Sequence, residues 1–108
     1  MPLFTNKIVT EAGTDVLVAT LPANIEFATV TINLTNTAVA GSPVSLVKIA
    51  LGTGANPAQA DYIEGGAQIG PGSVLNRTCE LVGPNEKIWV FSDTADVTVR
   101  ISGLTKLA

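Results

Sequence analysis

The chain has no histidine. That absence removes the commonest general base and the commonest transition-metal ligand together. The single cysteine, Cys79, excludes an intrachain disulfide and any cysteine-built zinc site. Flanked by apolar residues in the run Val74–Leu81, it reads as a buried, inert thiol. Charge is also scarce. Only 14% of residues are charged, against about 25% in average soluble domains, and Thr, Ser, Asn, Gly and Ala stand in their place. A lone monomer normally carries more surface charge, so either a Thr-rich β face or a surface covered by partners is expected. The basic residues stand singly at Lys7, Lys48, Arg77, Lys87, Arg100 and Lys106, within a net charge of −3. No cluster of them can neutralise a row of phosphates, and direct binding of nucleic acid is not expected.

Other absences narrow the chemistry further. No apolar run approaches the roughly 20 residues that cross a bilayer, and Met1–Lys7 lacks the basic-then-apolar order of a secretory signal. Membrane association is not expected, and synthesis in a cytoplasm without export is. Gly52-Thr53-Gly54 is not followed by the Gly-Lys-Ser/Thr of a phosphate loop and reads as a turn. The nine carboxylates include no Asp-x-Asp-x-Asp-Gly run, so an EF-hand-like calcium loop is missing. Asp61 and Glu64 could pair in space with Asp93 or Asp96, but a solvated loop is the preferred reading. The expectation is therefore a non-enzyme with no catalytic residues, no cofactor and no metal. A glycan hydrolase, which needs a convincing acid pair, is the enzyme reading set aside.

What the chain does have is punctuation and alternation. Its six prolines, Pro2, Pro22, Pro43, Pro57, Pro71 and Pro84, all fall between apolar runs, as expected for a residue that cannot donate to a ladder. Between them the period is two. Val30, Ile32 and Leu34 alternate with Thr29, Thr31, Asn33 and Thr35; Val97, Val99 and Ile101 alternate with Thr98, Arg100 and Ser102. Eight strands are predicted: Phe4–Thr10, Thr14–Leu21, Phe27–Thr35, Val44–Leu51, Tyr62–Glu64, Val74–Leu81, Lys87–Ser92 and Asp96–Leu104. Glu11-Ala12-Gly13 reads as a hairpin turn and Asp93-Thr94-Ala95 as a tight turn joining the last two strands. The Gly/Pro/Ala-rich segment Gly52–Gly72 reads as a long functional loop with one brief strand. At 108 residues, the expected fold is a single all-β domain. It is an antiparallel two-sheet β-sandwich of about eight short strands, with jelly-roll-like connections as one form of it.

Five residues are candidates for an interface: Tyr62, Arg77, Trp89, Phe91 and Arg100. Trp89 and Phe91 share one face of the Lys87–Ser92 strand, opposite Ile88 and Val90. One pair belongs to the core; the other is either a packing patch under a loop or an interface anchor, since Trp and Tyr are enriched at binding hot spots. Arg77 and Arg100, both mid-strand, are placed to pair with Glu80 or Asp96 on the surface, or to hold a neighbouring subunit's carboxylate.

The order of motifs from Ala60 to Gly103 carries a resemblance. Asp61-Tyr62-Ile63-Glu64 comes first, followed by Gly70-Pro71-Gly72-Ser73-Val74-Leu75-Asn76-Arg77-Thr78. Pro84-Asn85-Glu86-Lys87-Ile88-Trp89-Val90 comes next, and Val97-Thr98-Val99-Arg100-Ile101-Ser102-Gly103 closes the series. In order and spacing this resembles a family of small tailed-bacteriophage virion proteins with "ADYIE", "G-G-V-L-x-R-T", "E-K-I/V-W/Y-V" and "V-x-V-R-x-S-G" motifs. The departures, Gly65-Gly66-Ala67 and Cys79, fall where that family varies. The resemblance implies a structural part of the virion, in first place a capsid decoration (cement) protein on the outer capsid surface. Its implied partners are the major capsid protein and copies of itself, as a homotrimer. The alternative it implies is a small tail, baseplate or fibre-associated β domain that binds a host surface glycan.

Overall fold

Every alternating segment is a strand in the computed structural model, which describes residues 3–108. The strands are β1 (Leu3–Val9), β2 (Thr14–Thr20), β3 (Ile25–Asn36), β4 (Ser45–Gly52), β5 (Tyr62–Ile69), β6 (Val74–Val82), β7 (Lys87–Ser92) and β8 (Val97–Leu107). A 3-10 turn, Gln59–Asp61, leads into β5. Pro22, Pro43, Pro57, Pro71 and Pro84 all lie between strands; Pro2 lies outside the described residues.

Two antiparallel four-stranded sheets result, a first in the order β1-β8-β3-β6 and a second in the order β2-β7-β4-β5. The pairs β1–β8, β2–β7, β3–β6 and β4–β5 are those of one long hairpin rolled around a common core. That is the connectivity of a jelly roll. Rolling sends consecutive strands to opposite sheets, β4 and β5 excepted. Glu11-Ala12-Gly13 is therefore a corner between sheets and not the expected hairpin. Gly13 turns it with φ +74, and its N–H donates to the Ser92 carbonyl at 2.8 Å. The Asp93–Asp96 turn likewise carries the chain from the second sheet to the first.

The inward set follows the period-two reading. Val30, Ile32 and Leu34 on β3, Val97, Val99 and Ile101 on β8, Ile88 and Val90 on β7, and Val47 and Ile49 on β4 are each at most 1% exposed. Each such burial contributes about 1.5–3 kcal/mol relative to exposure. At one end of the core a polar chain joins the sheets. Asn36 Nδ2 donates to the Ile69 carbonyl at 2.8 Å and to Ser45 Oγ at 3.2 Å. Ser45 Oγ meets Thr94 Oγ1 at 2.7 Å, and Thr10 Oγ1 donates to the Thr94 carbonyl. Among the described residues no buried side-chain nitrogen or oxygen lacks a partner, as a stable interior requires.

The two long sides are clasped differently. A register shift between Leu17 and Ala19 interrupts the pairing of β2, and the Val18 carbonyl accepts from Asn6 Nδ2 of β1 at 3.0 Å. On the other side Arg77 of β6 holds Glu80 at 3.0 Å and approaches Glu64 of β5 at 4.0 Å.

Two further expectations are corrected. The Gly52–Gly72 segment is not one long loop, because β5 continues through Gly65 and Gly66 to Ile69. Glycines hide that strand from propensity, but Ala67 and Ile69 still pack against the core. Cys79 is exposed, not buried. β6 carries an extra residue between Arg77 and Glu80 relative to β3, and Cys79 takes φ +57 there. A bulge of this kind breaks the alternation on which the buried reading relied.

Candidate functional site

Each sheet has an outward face, and the five candidate residues are divided between these faces and the rim. Tyr62, Trp89 and Phe91 share the outward side of the second sheet. β7 places Trp89 between Leu17 and Ala50, and Phe91 between Asp15 and Lys48. Tyr62 begins on the edge strand β5, yet its hydroxyl donates to Asp15 of the opposite edge, 3.1 Å from each carboxylate oxygen. The phenol thus straps across the sheet. Its pKa is raised above the ordinary 10.0, first by burial and then by the Asp15 hydrogen bond and charge. Lys48 Nζ lies 5.9 Å from the Tyr62 ring centre and 5.1 Å from that of Phe91, within cation–π range of both.

The loop after β4 completes the cover. Lys87 Nζ donates to the Gly54 carbonyl at 2.9 Å, drawing the loop toward the end of β7. A Cβ on Gly52 would fall 2.6 Å from Asp61 Oδ2, so any side chain there would have to displace the Asp61 carboxylate. Asp61 Oδ2 in turn accepts from the Ala58 N–H at 2.8 Å. Trp89, although it points away from the core, is only 4% exposed. Beside the strap, Lys48, Gln59, Tyr62 and Gly65 line an open pocket of about 610 Å³.

The outward face of the first sheet is built on another plan. Register aligns its side chains in rows across the strands. Beyond a Phe27–Lys106 pair at one end, a row reads Leu81–Thr29–Leu104, and the next Thr31–Ser102–Thr5. Then come Asn76–Asn33–Arg100–Lys7 and, at the far end, Val74–Thr35–Thr98–Val9. Asn33 Nδ2 donates to Asn76 Oδ1 at 2.6 Å, and Thr35 Oγ1 to Asn33 Oδ1 at 3.0 Å. The first and last of these four rows hold four of the exposed large apolar residues, Val9 at 61%, Val74 at 51%, Leu81 at 67% and Leu104 at 42%. A polar band with apolar ends is the general composition of a contact surface.

Arg100 sits in that polar band; Arg77 does not. Arg77 faces inward beside Ile32 at the rim of the sandwich and is engaged by Glu80, one of the two partners its sequence context suggested. Asp61 and the Asp93–Asp96 turn lie at opposite ends of β4, since Asp93 Oδ1 caps the Leu46 N–H while Asp61 abuts Gly52. They form no carboxylate pair. Among the described residues no group of three His, Cys, Asp or Glu is placed to hold a metal ion. Sequence reading missed Lys7, Val9, Leu81 and Leu104. Their alternation was visible, but only the pairing of β1 with β8 and of β6 with β3 gathers them on one face.

The chain is thus an eight-stranded jelly roll with one self-covered face and one open face. A scan against protein-family models found no match, and searches of curated proteins and of solved structures returned no significant match.

Proposed function

We propose that this protein is a non-enzymatic structural component of a phage particle, a decoration protein that docks on the major capsid protein through the outward face of its first sheet. The observation that carries the reading is that face: a polar band bounded by exposed leucines and valines. The motif order from Ala60 to Gly103 supports the placement on a virion. Jelly rolls serve many functions, so the fold by itself does not argue for this one. Copies of the chain are proposed to associate as a closed homotrimer, closed symmetric contacts being the default for identical subunits.

The test is particle-based. Particles made without the protein should assemble but release DNA at lower temperature or milder osmotic shock, and cryo-electron microscopy should find many copies over the shell. Equal heat resistance with and without it refutes the cement role. A second reading, a tail-associated domain that binds a host glycan, draws on the open pocket beside Tyr62, where an aromatic ring, Lys48 and Gln59 converge. A few copies confined to the tail, with glycan binding lost in Tyr62→Ala, is the outcome that favours it.

A further inference from the structure

Four strands lie at sheet edges, β1 and β6 in the first sheet and β2 and β5 in the second. An edge presents unpaired N–H and C=O groups to any strand that can lie beside it, and proteins blunt such edges with bulges, prolines or charge. The pairing of β2, β5 and β6 is interrupted by at least one register shift in each case. β1 pairs with β8 from Leu3 to Val9 without any. No bulge blunts its far side.

Lys7 and Val9 frame that edge on the outward side. Lys7 stands directly opposite Arg100, where like charges repel. Among the described residues no carboxylate lies within ion-pair distance of either, although acids outnumber bases nine to six in the chain. A groove of about 430 Å³ runs along the pair, with Val9 and Thr98 among its walls. A lysine alone would serve as a guard against unwanted pairing. Arg100, one strand further in, adds nothing to a guard but brings a second positive charge to the same row.

We propose that the β1 edge is a strand-addition site for an acidic segment of a partner protein. The incoming strand sets a carboxylate side chain opposite Lys7 and an apolar side chain, two residues away, opposite Val9. Main-chain hydrogen bonds supply the affinity and the alternate side chains the specificity. The row Asn76–Asn33–Arg100–Lys7 then ends on a negative charge that neutralises the repelling pair. The row Val74–Thr35–Thr98–Val9 ends on an apolar contact. A second copy of β1 fits less well, because antiparallel pairing centred on Lys7 opposes Lys7 to itself. The proposal rests on reading the first sheet's outward side as a contact surface, extended here to its edge.

The test uses the whole isotope-labelled chain and two short peptides of alternating threonine and valine, one with a central glutamate and one with lysine there. Amide shifts on titration are expected along β1 and then β8. The glutamate peptide should bind about tenfold tighter than the lysine peptide, and less tightly as salt rises. Lys7→Glu should reverse the preference, and Arg100→Ser should weaken glutamate-peptide binding by a few-fold, with melting curves showing both variants folded. Shifts confined to β2, β5 or β6, equal binding of the two peptides, or no shift up to millimolar peptide each overturn the proposal. So does sedimentation showing that β1 is already occupied by a second copy. Failure to find the protein on particles would remove the proposed function and leave the peptide result standing.

Discussion

Both sheets turn a face to solvent, and the two faces are finished in opposite ways. On the second sheet the chain covers itself. Tyr62 crosses from one edge to Asp15 on the other, Lys48 sits between two rings, and the loop before β5 is tied by Lys87, so that an outward-pointing tryptophan is 4% exposed. On the first sheet one end is covered, Lys106 lying 5.7 Å from the Phe27 ring centre and pairing with Glu26 at 3.1 Å, but the rest is left open. Arg100 and Lys7 face solvent, among the described residues no carboxylate lies within ion-pair distance of either, and Val9, Val74, Leu81 and Leu104 remain exposed. An antiparallel sheet commonly leaves one face to solvent; what sets this one apart is its rows of exposed leucine and valine. Aromatic residues drew attention first as interface candidates, yet the threonine, asparagine and leucine face is the better-placed surface.

The comparison presupposes that inward and outward are assigned correctly, and Val99→Asp tests that most severely. Val99 is 1% exposed near the start of β8. An unpaired carboxylate there costs several kcal/mol, comparable with the whole stability of a domain this size, and the variant should be recovered unfolded. A soluble Val99→Asp protein with a cooperative melt would mean a one-residue slip, which exchanges the two faces of the strand. Trp89→Ala comes next. If the second sheet's face is a true secondary core, the loss should be about 3–5 kcal/mol by denaturant titration. A loss under about 1 kcal/mol, as for a surface site, would show that the tryptophan is a surface anchor and that the two faces are alike.

Most of the fold was legible because it rests on alternation and on proline, and both act locally. Val30-Thr31-Ile32 and Val97-Thr98-Val99 state their faces without reference to any other strand. Three things were not legible. The continuation of β5 through Gly65 and Gly66 has the composition of a loop, and only its pairing with β4 makes it strand. Cys79 sits where β6 has one residue too many against β3, so the period-two reading of its neighbours places it on the wrong side. The sites depended on topology. Tyr62 and Asp15 are 47 residues apart and meet only because the rolled hairpin brings both onto the second sheet. Nothing in the Phe4–Thr10 run says that Lys7 will face Arg100.

The strap across the second sheet gives a smaller and more specific effect. Tyr62→Phe removes the hydroxyl from Asp15 and should cost about 1 kcal/mol near neutral pH, the usual net value of one hydrogen bond at a partly exposed site. The sign with pH follows from the raised pKa, caused first by burial and then by Asp15. The folded state holds the phenolic proton more tightly than the unfolded state. Its contribution is therefore complete below the ordinary value of 10.0 and is lost as pH rises through the higher folded value. Wild type should lose stability more steeply than Tyr62→Phe above pH 10. Because the chain has one tyrosine, its ultraviolet absorbance reports that ionisation directly. An ordinary phenol titration, with parallel pH profiles for the two proteins, would show that the strap is not formed.

The smallest expected effect on folding belongs to the open face, and it is the one that ties the comparison to function. Thr29, Thr31 and Thr98 alternate with Ala28, Val30, Ile32, Val97 and Val99, all of them at most 1% exposed, and so point outward from the first sheet. Their side-chain oxygens make no hydrogen bond to another described side chain, unlike Thr35 and Asn33 beside them. Thr29→Ala, Thr31→Ala and Thr98→Ala should each change stability by less than about 0.5 kcal/mol, the usual range for surface sites. A face whose only task is to keep the monomer soluble would tolerate all three together in every assay. A docking face would not: the triple variant should melt like wild type and yet attach poorly to particles, because three contacts at the centre of the rows are lost at once. If the triple variant both melts and attaches like wild type, the threonine band is inert and the open face is open for no reason that involves its centre. If it instead melts several degrees lower, the threonines support the sheet itself, and the first face is less different from the second than the rows suggest.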